Sequence, residues 1–281
     1  TVYTGDPIQD DAPTLHQLRL LEQQVASTLN FTIDPSTESI EIFILDDKEA
    51  FTRFLSIHHP ELPQRRAFFV ANGEHRVVYA HRGPRLEEDL RHEATHALLH
   101  AKFGELPMWL DEGLAEYFED HSAQVGEMAR LARLAEDQSE GWKPDIHRLE
   151  RIQDIRMMNS RDYRESWAWV HFLLHGVARG PERLSAYLGD CRGAGRPEPI
   201  SRQFRIMDAD PGLLLLAHLG QAREAALLAA NNHDRRVRDG SAVVRLQDTD
   251  NSDVAEPKPP ASRPAWLLIG RLARALGVGL K

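Results

Sequence analysis

Two histidines and a glutamate stand together at His92-Glu93-Ala94-Thr95-His96. In a helix, residues i and i+4 lie one above the other on the same face. His92 and His96 then aim two imidazoles at one point, the arrangement of two ligands of a tetrahedral zinc ion. Glu93 stands beside that face, placed to take a proton from water at the metal rather than to bind the metal itself. A catalytic zinc takes three protein ligands and keeps one position open. Further acids follow in Met108-Trp109-Leu110-Asp111-Glu112-Gly113-Leu114-Ala115-Glu116-Tyr117. Glu112 is the candidate third ligand. Glu116, one turn on, shares its face and is placed to accept an N–H from a ligand histidine and so fix its tautomer. His100 lies one turn beyond His96; as a fourth ligand it would close the site, so a supporting role fits it better. The single cysteine, Cys191, supplies no thiolate cluster and no internal disulfide. Two imidazoles and a carboxylate favour zinc over magnesium or calcium, which prefer all-oxygen shells. The expectation is one zinc ion (Zn2+) per chain.

Several elements must hold these residues. Leu86 to Gly104 reads as one helix, stopped by Gly104 and Pro107. The reversal brings a second helix, from Met108 onward, back against the first. Ahead of them the order is helix (about 14–29), strand (Ile40–Leu45), short helix (Glu49–His58) and a hairpin over Ala67–Ala80 around the turn pair Asn72-Gly73. Behind them, helices are expected at Glu127–Asp137, Asp162–Gly176, Pro181–Asp190 and Gly212–Ala230. Trp109 and Leu110 are read as packing between the two motif helices. His171 and His175 repeat the four-residue spacing without a following acid, amid aromatic residues, and are read as lining the core.

His92-Glu93-Ala94-Thr95-His96 followed by W-L-D-E-G-L-A-E-Y resembles the gluzincin metallopeptidases, the clan of thermolysin and the aminopeptidases. Within it the chain is most similar to a bacterial family of uncharacterised gluzincin-like proteins, the DUF1570 family. Its second helix has a P-x-W-L-x-E-G-L-A-E-Y-F-like pattern, and the segment Tyr163–Leu174 looks similar to a later family segment. The resemblance spans about residues 38–176. It implies that His92, His96 and Glu112 are zinc ligands and Glu93 is the general base. Glu116 stands where many gluzincins carry Asp. A metzincin pattern is excluded, because Leu99 and Lys102 replace the Gly and His it needs. Peptidases of this type use a Tyr or His to stabilise the oxyanion. Tyr163 is the first candidate, with Tyr117 and His147 as alternatives. The strand Arg76, Val77, Val78, Tyr79 and Ala80 precedes the motif helix and is expected to form a sheet edge along which a peptide adds. The implied fold is α+β and zincin-like: a small mixed sheet with an edge hairpin packed on the HExxH helix, and a mostly helical C-terminal half.

The composition is that of a globular chain, with 42% hydrophobic and 27% charged residues among 281, enough for a full core and far from a disordered or disulfide-stapled scaffold. A net charge of −9 argues against a nucleic-acid binder, which needs a basic face. The catalytic domain is placed at 1–230, a polar linker at 231–264 and a basic apolar tail helix at 265–281. Arg263, Arg271, Arg274 and Lys281 have no acidic neighbour in that tail, and Trp266, Ile269, Leu272 and Leu276 form a stripe at helical spacing. Peripheral contact with an anionic membrane and docking on the acidic domain are both open to it. No unbroken apolar run reaches bilayer length. Opening on Thr1 rather than Met reads as a processed N-terminus, compatible with an exported or envelope location as well as a cytoplasmic one. The reaction expected is hydrolysis of a peptide or protein substrate; the rival is a zinc-binding scaffold of the same fold without catalysis.

Overall fold

The alternation of β-branched and amphipathic runs in the first third of the chain becomes a mixed sheet flanked by helices in the computed structural model. The structure describes residues 1–5, 12–34, 39–60, 65–73, 75–120, 123–193, 197–203 and 210–238. The order is β1 (Val2–Thr4), α1 (Pro13–Thr28), β2 (Glu41–Leu45), α2 (Lys48–His58), β3 (Ala67–Asn72), β4 (His75–His81), α3 (Leu86–Phe103) and α4 (Met108–Phe118). Proline opens α1, where its missing N–H costs nothing. The Asp47 side chain caps α2 by accepting from the Ala50 amide at 2.7 Å. Gly73, at φ 61°, turns β3 into β4.

The strands are ordered β1-β2-β4-β3. β1 and β4 both run parallel to β2, while β3 is antiparallel to β4. The fold is therefore α+β with a small mixed sheet, as anticipated; β1 was not anticipated. One expectation needs correction. Arg76–Ala80 lies inside the sheet, hydrogen-bonded on one side to β2 and on the other to β3. Val77, Val78, Tyr79 and Ala80 are all buried, the signature of a strand covered on both faces. The edge of the hairpin is β3.

Alternation along the strands divides the core. Ile42, Ile44, Val78 and Ala80 meet Leu90 and Ala97 of α3. On the opposite face Phe43, Phe68 and Tyr79 pack with Phe54 of α2, their ring centroids 5.0–5.6 Å from that of Tyr79. Trp109 and Leu110 are buried, as anticipated.

The chain continues through α5 (Ala123–Ser139), α6 (Ile146–Glu150), α7 (Ser160–His171), α8 (Gly180–Cys191), α9 (Ile200–Gln203) and α10 (Pro211–Arg238). α6 and α9 are too short to show a periodic pattern. α7 opens on a capping box: Asn159 Oδ1 accepts from the Arg161 and Asp162 amides at 2.8 and 3.2 Å, and Asp162 Oδ2 accepts from the Asn159 amide at 2.9 Å. The helix does not run as one α-helix to Gly176; Phe172–Gly176 is a π-helical turn. Glu165, fully buried on α7, accepts from Trp142 Nε1, the Asp145 amide and Arg148 Nη2 at 3.0, 2.7 and 2.9 Å. A buried carboxylate so fully satisfied ties the loop before α6 to α7.

The chain divides into two compact units, Thr1–Arg223 and Glu224–Lys281. α10 continues to Arg238 and so occupies the start of the segment read as linker. Among the described residues, Pro211–Asn231 is long and apolar enough to cross a membrane by length and composition. Residues 239–264 and the basic tail 265–281 lie outside the described residues.

Candidate metal centre

The site is built on one helical hairpin. Gly104, at φ 76°, ends α3 in a conformation glycine adopts without strain, and Pro107 leads into α4. The two helices then present facing side chains. His92 Nε2 and His96 Nε2 stand 3.3 Å apart. Glu112 Oε2 lies 3.6 Å from the first and 3.8 Å from the second. Around an ion with bonds of ~2.0–2.1 Å, tetrahedral ligand atoms stand roughly 3.3 Å apart, so three such atoms suit one cation. Glu112 Oε2 is buried without a hydrogen-bond partner. A buried orphan oxygen facing two imidazole nitrogens is the deficit a cation removes. Two nitrogens and one oxygen fit zinc better than magnesium or calcium.

A carboxylate stands at the far nitrogen of each histidine, hydrogen-bonded to the first and only close to the second. His92 Nδ1 lies 2.9 Å from Glu119 Oε2, and Arg130 Nη2 donates to Glu119 Oε1 at 2.6 Å. His96 Nδ1 lies 3.1 Å from Asp111 Oδ1, whose other oxygen bonds His100 Nε2 at 2.9 Å. Glu116 does not take the expected place on a ligand histidine. Its Oε2 accepts from Arg130 Nη1 at 2.6 Å, because α5 delivers a guanidinium to that face. It still shares with His92 and Glu119 a group of ligand atoms all within 4.8 Å of one another. Sequence reasoning missed Glu119 and Asp111. Glu119 carried a signal, since 112, 116 and 119 share one helix face; Asp111 carried none beyond its neighbour. His100 bonds Asp111 rather than joining the group of His92, His96 and Glu112.

Arg91 fixes the end of α4. Only 2% exposed, it donates through Nε to the Phe118 and Glu119 carbonyls at 3.0 and 3.1 Å and through Nη2 to Gln24 Oε1 at 2.8 Å. A cation there complements the helix C-terminus and anchors the turn that carries Glu119. Gly113 allows α7 to approach α4; a Cβ at that position would stand 2.6 Å from the Ser166 carbonyl oxygen.

Burial lifts the Glu93 carboxyl above the usual carboxylate range, against the pull of His92 and His96. Burial works against a charged His96, yet Asp111 and Glu112 outweigh it and raise the ring to about 9. His92 moves the same way, burial again being overcome by Glu112 and Glu119. Asp111, although buried, is held well below its ordinary value by His96 and His100. Burial and the charge of Glu112 push the Tyr163 hydroxyl of α7 up to about 12. A cavity of about 450 Å³ opens on His92 and Glu93, with Lys48, Arg65, Glu116 and Glu119 in its wall.

The other candidates fall elsewhere. The Tyr117 hydroxyl is bonded to His175 Nε2 at 2.7 Å, and His147 is exposed beside Glu150 and Ser201. His171 is buried, as expected of a core residue, and is also hydrogen-bonded, its Nδ1 lying 2.8 Å from His218 Nε2. Cys191 is half-buried, its thiol pushed up to about 11 by burial.

The family model described as protein of unknown function (DUF1570) matches residues 88–191. The match begins in α3 ahead of His92 and closes at the end of α8. It therefore contains His92, Glu93, His96, Glu112 and Tyr163 but none of the sheet, and it supports the DUF1570 label. No curated protein matches the chain.

Proposed function

We propose that this chain is a zinc-dependent metallohydrolase of the gluzincin type, with a zincin-like catalytic fold, and that its substrates are peptides. The observation that carries the reading is the convergence of His92 Nε2, His96 Nε2 and Glu112 Oε2 within 3.3–3.8 Å beside a buried Glu93. His92, His96 and Glu112 would hold the ion. Bound zinc supplies Lewis acidity and brings the pKa of water towards 7.

The residues of the chain do the rest. Glu93, its carboxyl raised above the usual range by burial, accepts the proton of the attacking water and returns it to the leaving amine. Tyr163 stays protonated at neutral pH and donates its hydroxyl to the carbonyl oxygen as that oxygen gains charge. Glu119 bonds His92 Nδ1 and holds that imidazole with Nε2 turned inward, while Asp111 sets a negative charge beside Nδ1 of His96. β3, the outer strand of the hairpin, offers main-chain groups to an extended peptide. Its Phe69 ring lies 5.1 Å from that of His100 and 6.4 Å from that of His96, so this edge runs beside the ligand helix.

The test pairs metal analysis with turnover on a broad peptide library, for the wild type and Glu93→Gln. The expected result is about one zinc per chain in both and cleavage in the wild type alone, slowed in the variant by ~10²–10⁴-fold. Equal cleavage by both would reject Glu93 as the base. Zinc without cleavage in either would make the chain a zinc-binding scaffold.

A further inference from the structure

Four cations line the cavity that opens on His92 and Glu93: Lys48, Arg65, Arg66 and Arg85. Two of them are committed. Arg66 grips Asp89, its Nε 2.9 and 3.0 Å from the two carboxylate oxygens and its Nη2 2.8 Å from one of them. Arg85 pairs with Glu88. The acids on the far wall are committed too, Glu116 and Glu119 both to Arg130. Among the described residues, no carboxylate lies within ion-pairing distance of Lys48 or Arg65. Both are exposed at the cavity rim. Arg65 stands beside the Tyr163 hydroxyl and close enough to Glu93 for the two charges to interact.

The wall of this cavity thus carries two cations that, among the described residues, form no salt bridge, and one of them, Arg65, stands next to the two residues assigned to proton transfer and oxyanion binding. A neutral peptide has no use for them. The anionic group that a peptide carries is a carboxylate, and a guanidinium offers it a planar fork of donors while an ammonium adds a point charge. We infer that Lys48 and Arg65 form a carboxylate-recognition site that selects peptides with an acidic group close to the scissile bond. The inference rests on the hydrolytic reading for its location. The carboxylate is either a chain terminus or an Asp or Glu side chain.

Three peptides with one neutral core separate these sources: an amidated one, one with a free C-terminus, and an amidated one with a central Glu. Binding of each to the full chain, zinc-free and zinc-loaded, is measured by titration calorimetry. One of the two carboxylate peptides is expected to bind about tenfold or more tightly than the neutral one. That preference should disappear in the Lys48→Ala, Arg65→Ala double variant and return in part with Arg65→Lys, which keeps the charge but not the fork. In turnover it should appear in KM rather than kcat. Both side chains are exposed, so an unchanged melting temperature certifies the variants as folded. A preference for the free terminus assigns the site to C-terminal carboxylates, and a preference for the central Glu assigns it to acidic side chains. Equal binding of all three peptides overturns the inference, as does a preference that survives the double variant, or no binding of any peptide. Arg65-dependent binding without turnover would leave this site standing and remove the hydrolytic reading. Turnover of all three peptides with equal KM would do the reverse.

Discussion

His92 and His96 on α3, and His171 and His175 at the end of α7, are each separated by four positions. In the first pair the Nε2 atoms converge to 3.3 Å and face the unpaired oxygen of Glu112. In the second the rings are equally close, with centroids 4.7 Å apart, but among the described residues their polar contacts lead away from one another. His171 reaches His218 and Glu127, and His175 reaches Tyr117. The backbone differs, since α3 is regular through both histidines while His175 sits in the π-helical turn. The charge differs more. Asp111, Glu112 and Glu119 surround the first pair. Among the described residues, Glu127 is the acid that pairs with the second. Carboxylates raise His92 and His96, whereas burial and neighbouring imidazoles lower His175, and lower His218 to about 4. Spacing places two rings on one face; the surrounding acids decide whether that face attracts a cation.

The largest effect expected from this contrast is on metal content. His96→Ala or Glu112→Ala should take zinc from about one per chain to near none, while His171→Ala and His175→Ala should leave it unchanged by elemental analysis. Full zinc in Glu112→Ala would transfer the ligand role to Glu116, the other acid near His92.

A smaller effect separates the two glutamates behind the site. Glu119→Gln removes the carboxylate that orients His92 and should weaken zinc by ~10–100-fold in chelator competition. Glu116→Gln, whose carboxylate bonds Arg130, should cost clearly less.

Gly113→Ala tests the contact that brings α7 to α4. A methyl directed at the Ser166 carbonyl forces the helices apart and should destabilise the fold by about 1–3 kcal/mol, read as a fall in melting temperature. Because α7 carries Tyr163, kcat should fall in the same variant while zinc content holds. An unchanged melting temperature would mean that the pair yields without strain.

The smallest effect is in pH dependence, where the two clusters have opposite signs. His218 titrates below its unfolded value of 6.5, so the unfolded chain binds the proton first as pH falls. Its contribution is full above about 6.5 and is lost towards about 4, and His218→Gln should flatten that acid limb of the stability curve. His96 titrates near 9, above its unfolded value, so in zinc-free protein its contribution is full below 6.5 and lost as pH rises through about 9. Zinc should abolish this alkaline loss, since a bound ring has no proton to release. An acid limb unchanged in His218→Gln would place that loss in other groups.

What was legible in the sequence is what depends on local periodicity. The motif pair read as two antiparallel helices because His92, His96, Glu112 and the Gly104–Pro107 break all lie within one short stretch. Long-range partners were not legible. β1 is three residues with no pattern of their own, and it exists because Val2 and Tyr3 pair with Ile42 and Phe43 of β2. A hairpin shows that two strands pair but not which one faces the rest of the sheet, so Arg76–Ala80 was placed at the edge and stands inside it. Glu116 lost its expected role to Glu119 because of Arg130, from a helix that the acidic run itself does not announce.

The reversal at Gly104 has a consequence for the order of events in a growing chain. His92, His96 and Glu112 are contained in the hairpin of α3 and α4, whose contacts are local in sequence, whereas Tyr163 is added only after α5, α6 and the first residues of α7 have been made. Local helical contacts form in microseconds, far faster than residues are added during synthesis. On the proposed reading a nascent chain would therefore own its candidate ion site before it owns the Tyr163 hydroxyl, and an ion taken up at that stage would be carried by an inert intermediate until α7 closes against Gly113.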